Sequence, residues 1–145
     1  GTGSGSGYTT PCIHSGTIAN IDTNTVWYNY ALASAGTITG TNNTTTATQS
    51  ICPKGWTLPS KDQINSLSGG EYPGTITYVS SFSPVLGGRY GYGTLYDEST
   101  HGHWWGSTAY DGARRYYLNY NGSNLHTNGY GRRFGGIYVR CIQAS

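Results

Sequence analysis

Apolar and polar positions alternate most regularly toward the C-terminus, where Arg115-Tyr116-Tyr117-Leu118-Asn119-Tyr120-Asn121 has period 2 and predicts a strand. Tyr116, Leu118 and Tyr120 share the face expected to enter the core, and Arg115, Tyr117, Asn119 and Asn121 share the face expected to point outward. Asn121-Gly122 follows as a tight hairpin turn, because both residues tolerate positive φ. Ser123 to Asn128 is expected to return as a short polar strand. Val26-Trp27-Tyr28-Asn29-Tyr30 reads as an aromatic-rich strand. Gly55-Trp56-Thr57-Leu58-Pro59 reads as a buried strand ended by proline, with Trp56 in the core. The last strand is Gly136 to Ile142, with Ile137, Val139 and Cys141 on one face. Trp104 and Trp105 are adjacent, so a strand turns them to opposite sides, with at least one as a core anchor.

One segment carries a convincing helix pattern. Ser60-Lys61-Asp62-Gln63 is a capping box, Ile64 and Leu67 supply the apolar stripe, and Gly69-Gly70 supplies the stop. Thr37 to Ser50 is Thr/Asn-rich and is expected as a surface loop. Glu71 to His103 is a long Gly-, Ser- and Tyr-rich connection, of a length that is usually functional or held by the core around it. Gly1 to Gly7 reads as a flexible linker, which leaves 8–145 as a single domain.

Composition changes this picture in two ways. Only 10% of the residues are charged, which with few aliphatics would suggest disorder, but 14 Tyr and 4 Trp supply the missing apolar area. The expectation is an α+β fold, mostly β and loop, built on one core. The net charge of +2 is too small to argue for nucleic acid. Its placement is more telling, since residues 1–51 hold no Lys or Arg while Arg114, Arg115, Arg132, Arg133 and Arg140 lie in the last third. No apolar run is long enough to span a membrane and no signal peptide is visible.

Cys12, Cys52 and Cys141 form no metal or redox spacing. Cys52 precedes the Gly-Trp strand and Cys141 closes the last one, so these two are the expected pair, in an antiparallel sheet closed by the bridge. Cys12 is left unpaired or bonded outside the chain. Three free thiols in a cytosolic protein are the alternative, and the polar Thr/Asn/Gly-rich composition favours the bridge and a secreted or surface location.

Candidate chemistry is sparse. His101 and His103 have the i, i+2 spacing of two ligands on one strand, but only Asp97 and Glu98 stand near in sequence, so no metal is expected beyond a weak structural cation. No triad order, carboxylate pair or phosphate loop appears, and no cofactor or catalysis is expected. The outward set is Tyr, Asn, Arg and His with almost no Lys or Glu, the composition of a contact surface. The candidate binding residues are Tyr110, Asp111, Arg114, Arg115, Tyr117, Asn119, Asn121, Asn124, His126, Asn128, Tyr130, Arg132 and Arg133. Arg and Tyr interleaved in this way also occur in nucleic-acid surfaces. For a secreted domain the preferred partner is a protein or glycan, with local pairing of some arginines to Asp97, Glu98 or Asp111.

The order CPKGWTLPS (52–60), short helix, LGGRYGYG (86–93), HWWGSTAYDGARRYYLNYN (103–121) and VRC (139–141) resembles the bacterial major paralogous domain (FISUMP) family, over roughly residues 25–143. That resemblance implies a C-type-lectin-like fold, the Cys52–Cys141 bridge, and secretion or display on the cell surface. The same fold carries the variable regions of proteins diversified by retroelements, which act as receptors on phage tails and cell surfaces, and 108–134 looks like such a region. Calcium lectins of this fold follow a Trp with Asn-Asp, whereas Trp105 is followed by Gly106-Ser107, so calcium-dependent sugar binding is not implied. The related formylglycine-generating enzymes need a reactive cysteine pair, and here two of three cysteines are assigned to the bridge. The expectation is a non-enzymatic module that recognises a surface protein or glycan of another cell or phage host. The competing expectation is a subunit or tip adhesin of a surface fibre or pilus, assembling through Cys12 or the N-terminal linker.

Overall fold

The computed structural model describes Tyr8 and residues 13–17, 24–67, 86–91 and 94–143. The expectations placed on Gly1–Gly7, Cys12, Gly69-Gly70 and the first part of the long connection lie outside these residues. In chain order the elements are β1 (Ile13–Thr17), β2 (Asn24–Tyr28), α1 (Tyr30–Ala33), β3 (Trp56–Thr57), α2 (Lys61–Leu67), β4 (Arg89–Gly91), β5 (Thr94–Tyr96), β6 (Gly102–Ala109), β7 (Arg114–Tyr120), β8 (Leu125–Arg132) and β9 (Ile142–Gln143). The fold is mostly β with a little helix. β1 pairs β2, β3 pairs β9, β4 pairs β5, and β6, β7 and β8 form a three-stranded sheet, all antiparallel.

β7 lies at the centre of the larger sheet and is covered on both faces. Leu118 and Tyr120 pack with Trp104, Ile64 and Leu125 on one side. Tyr117 packs on the other against Trp105, Tyr30, Ala33, Ile38, Ala47, Leu58 and Ile137. Trp104 and Trp105, opposite Leu118 and Tyr117 in the register, therefore anchor separate clusters, and both are buried. A one-sided strand would have left its polar face in water. Here that face is also interior, and this decides the fate of Arg115.

The capping box forms as expected: the Ser60 N–H donates to Gln63 Oε1 at 2.8 Å and the Gln63 N–H to Ser60 Oγ at 3.2 Å. Ile64 is fully buried. Lys61 ties this helix to β8, donating from Nζ to the Thr127 carbonyl at 2.5 Å and to Asn128 Oδ1 at 2.7 Å.

Several expectations are corrected. The aromatic run from Val26 ends as a strand at Tyr28. Asn29 then caps α1, its Oδ1 accepting from the Leu32 N–H at 3.0 Å, and Tyr30 and Ala33 enter the core one turn apart. A single turn offers one i, i+3 pair, too little to separate helix from strand by periodicity. Trp56 is not in the core. β3 is two residues long and pairs only with β9 at the periphery, leaving Trp56 49% exposed, while the chain turns inward to bury Leu58. The β7–β8 connection spans four residues rather than two. Gly122 takes the positive φ of +92°, and Asn121 instead accepts from the Ser123 and Asn124 N–H groups at 3.0 and 2.7 Å. β8 is longer and less polar than expected, with Leu125 and Thr127 buried.

The C-terminal stretch is ladder in part only. Gly136, Ile137 and Tyr138 make isolated bridges to Tyr90, Tyr28 and Trp104, and regular pairing resumes at β9. Thr37 to Ser50 has no regular structure, but it is a packed cover rather than a free surface loop: Ile38 and Ala47 are buried, and the Ala47 N–H donates to the Ser107 carbonyl at 3.1 Å. Cys52 and Cys141 are bonded, with Cα atoms 5.9 Å apart, next to the β3–β9 pair.

Candidate functional site

The basic residues of 108–134 divide into an inner and an outer set. Arg115 and Arg133 are fully buried, so neither belongs to an exposed contact surface. The cover loop explains why. Its carbonyl groups have no sheet partner and cannot stay unpaired in the interior. Arg115 donates from Nη1 to the Thr45 carbonyl at 2.5 Å and from Nη2 to the Asn43 carbonyl at 2.7 Å. Arg133 donates from Nη2 to the Gly112 carbonyl at 2.7 Å and also to the Gly40 carbonyl. Each guanidinium also stands 5.1 Å from an aromatic ring, Tyr30 for Arg115 and Tyr8 for Arg133. Arg115 spreads its two terminal nitrogens over two diverging carbonyls, a fixed fork that a single point donor does not reproduce. Burial lowers the pKa of both arginines and pushes the Tyr30 hydroxyl up to about 12, against the opposing pull of the two guanidiniums.

The outer set starts at Asp111. Its Oδ1 accepts from the Ala113 and Arg114 N–H groups at 2.9 and 2.8 Å, and its Oδ2 accepts from Arg114 Nε and Nη2 at 2.8 and 2.5 Å. The Arg114 hydrogen bonds hold this carboxyl below its usual range. Tyr110 and Tyr130, both 41% exposed, stack with centroids 3.8 Å apart, and the Arg114 guanidinium lies 4.8 and 5.1 Å from their rings. Arg132 pairs with Arg114 across the β7–β8 ladder.

Behind this rim is a cavity of about 410 Å³, between the β4–β5 hairpin and the far end of the β7–β8 ladder. Arg89, Arg114 and Arg132 line it together with Tyr90, Tyr96, Tyr117, Tyr130, Trp105 and Phe134, and no described Asp or Glu does. The Tyr117 ring reaches it by lying across two glycines: a Cβ on Gly129 or Gly131 would come within 2.6 or 2.9 Å of that ring. Burial pushes the Tyr117 hydroxyl up. Four of the expected site residues thus meet at one cavity, namely Arg114, Tyr117, Tyr130 and Arg132. Arg89, Tyr90 and Tyr96 were missed, although the Gly/Tyr density of 86–93 marks the hairpin that carries them.

The remaining expected residues lie apart from the cavity. Asn119 is half-buried and its Oδ1 has no hydrogen-bond partner. Asn121 Nδ2 lies 3.3 Å from His126 Nε2, Asn124 helps close the turn, and Asn128 receives Lys61. Among the described residues no three His, Cys, Asp or Glu side chains are grouped closely enough to hold a metal.

His103 is 1% exposed, stacked on His101 with ring centroids 6.0 Å apart and edge-on to Tyr117, and its Nδ1 has no hydrogen-bond partner. Burial is the main cause that takes its pKa from 6.5 to about 4. Arg89 and His101 push the same way, and Asp97 and a Gly88 backbone hydrogen bond oppose them. The unfolded chain then binds the extra proton first, so stability is full above pH 6.5 and falls as the pH drops through 6.5 toward 4. Between pH 7 and pH 5 the loss from this residue is about 2 kcal/mol. Urea midpoints at the two pH values should show it, and His103→Gln should flatten the slope; an equal slope in the variant would remove His103 as the cause.

No protein-family profile, curated protein or solved structure matches this chain. No helix of the described residues is long and apolar enough to cross a membrane. The Cys52–Cys141 bond is consistent with an oxidising compartment such as the cell exterior.

Proposed function

We propose that this chain is a non-enzymatic recognition module of C-type-lectin-like fold, related to the FISUMP family and displayed outside the cell. It binds a protein or glycan through the Tyr/Arg cavity and its Tyr110–Tyr130 rim. The observation that carries the reading is the cavity itself: aromatic walls and three guanidiniums on a scaffold closed by a disulfide. Aromatic rings freeze few rotors on binding and arginine forks recognise planar acceptors, so such a wall gains affinity from being pre-organised. The exposed positions of 108–134 are those at which sequence variation would alter the ligand without touching the core. Nucleic acid is the less favoured partner, because the three basic residues converge on one cavity rather than along a track.

Screening wild type and the Arg114→Ala/Tyr130→Ala double variant on a mixed array of surface glycans and proteins tests the reading. Wild type should give discrete hits that the variant loses, with a melting temperature within a few degrees of wild type. Retention of the hits by the variant would move the site elsewhere.

A second reading is favoured by one observation. Trp56 and Ile51, 49% and 38% exposed, lie near the disulfide at the short β3–β9 edge. A fibre or tip subunit would bury them against a neighbour. Light scattering separates the two readings, since the assembly reading requires concentration-dependent growth that Trp56→Ser suppresses.

A further inference from the structure

We infer that the cavity accepts a carboxylated sugar, an acidic residue of a glycan, with arginine forks in the place of a metal; this rests on the recognition reading above. The charge of the wall points to an anion. Arg89, Arg114 and Arg132 line it and no described carboxylate does, since Asp97 and Asp111, the partners of Arg89 and Arg114, lie outside the lining. The arginines also keep donors in reserve. Arg89 engages Asp97 through Nε at 3.3 Å, and among the described residues its two terminal nitrogens make no hydrogen bond. Arg114 engages Asp111 through Nε and Nη2, and among the described residues its Nη1 makes no hydrogen bond. Each carboxylate thus orients an arginine without using up its donors, and planar guanidinium groups suit a planar carboxylate.

The rest of the wall asks for a ring. Tyr117 and Tyr130 offer flat apolar faces, and the Tyr117 ring lies close over the Gly129 and Gly131 backbone. A bare phosphate or sulfate would leave those faces bare. A sugar acid presents a C–H face to the aromatic rings, a carboxylate to the arginines, and hydroxyls to the phenols and to the backbone of Gly131 and Gly135. The volume of about 410 Å³ falls in the range of pockets that enclose one small ligand.

Titrating the isotope-labelled protein with glucuronic acid, with glucose and with benzoate, followed by amide NMR, tests this. Glucuronate should shift Gly91, Gly131 and Gly135 saturably and at least tenfold more tightly than glucose or benzoate. Arg89→Gln and Arg114→Gln should each weaken it several-fold, with amide spectra otherwise unchanged. Equal binding of glucose and glucuronate overturns the acidic-sugar assignment but leaves the recognition site in place. Equal binding of benzoate assigns the cavity to aromatic acids instead. Saturable shifts that map away from these glycines overturn both the assignment and the site. No saturable shift with any of the three overturns the sugar assignment, while the array hits still decide the recognition reading. A short single-stranded oligonucleotide that competes at lower concentration than glucuronate also overturns it.

Discussion

Replacing Cys52 and Cys141 together by serine should lower the free energy of unfolding by roughly 4–5 kcal/mol, the chain-entropy value for a bridge closing a loop of about 90 residues. That is the largest single effect expected in this protein, and the local structure shows why. β3 and β9, which the bridge adjoins, are two residues each, too short to hold the chain ends by their own ladder. The preceding stretch, Gly136 to Tyr138, makes single bridges to three elements, so its register depends on a fixed end. Urea unfolding of the double variant, or of wild type under reducing agent, reads the loss as a lower midpoint, with a steeper slope because the untied chain unfolds to a more open state. An unchanged midpoint would mean that packing of residues 136–143 holds the sheet without the covalent tie.

Arg115→Ala should cost about 2–4 kcal/mol, although it removes a residue with the composition of a surface side chain. The estimate comes from the groups left behind: the Asn43 and Thr45 carbonyls lose their donor in the interior, at about 1–3 kcal/mol for each buried group left unsatisfied. Part of that is recovered because a buried cation no longer has to be desolvated. Arg115→Lys should restore less than half, since one nitrogen has to replace the two that now serve the Asn43 and Thr45 carbonyls separately. Arg114→Ala, next in sequence but half-buried and paired with Asp111 at the surface, should leave the melting temperature nearly unchanged. Thermal melts of the three variants separate the roles. Equal losses for Arg114→Ala and Arg115→Ala would deny the division of these neighbours into outer and inner.

The sequence made some of this legible because the signals were local. The capping box at Ser60–Gln63 and the Leu118–Tyr120 face of β7 are short patterns whose physics is complete within a few residues, although Tyr116, expected on that face, is only half-buried; the cysteine pair, 89 residues apart, is legible from the strands that its members flank. What it hid depends on partners distant in the chain. Alternation assigned Arg115 to an outer face because nothing in 114–120 says that the loop around Thr45, some 70 residues earlier, closes over it. Trp56 was placed in the core as part of an expected buried strand, and the strand that carries it proved to be a two-residue edge. The cavity is a product of tertiary contact: Arg89 and Tyr96 arrive on a hairpin inside what reads as a featureless connection. The outward-facing set was therefore visible as composition alone. Its convergence on one site was not.

One Arg/Tyr-rich run serves two ends: an inner pair of arginines holds the cover loop, and an outer group lines the cavity proposed for recognition. Arginine footprinting with phenylglyoxal, read by mass spectrometry on the folded protein, tests this division most directly. Arg89, Arg114 and Arg132 should be modified readily, while Arg115 and Arg133 stay protected until the protein is denatured. Modification of Arg115 and Arg133 at the rate of Arg114 in the native state would contradict the account.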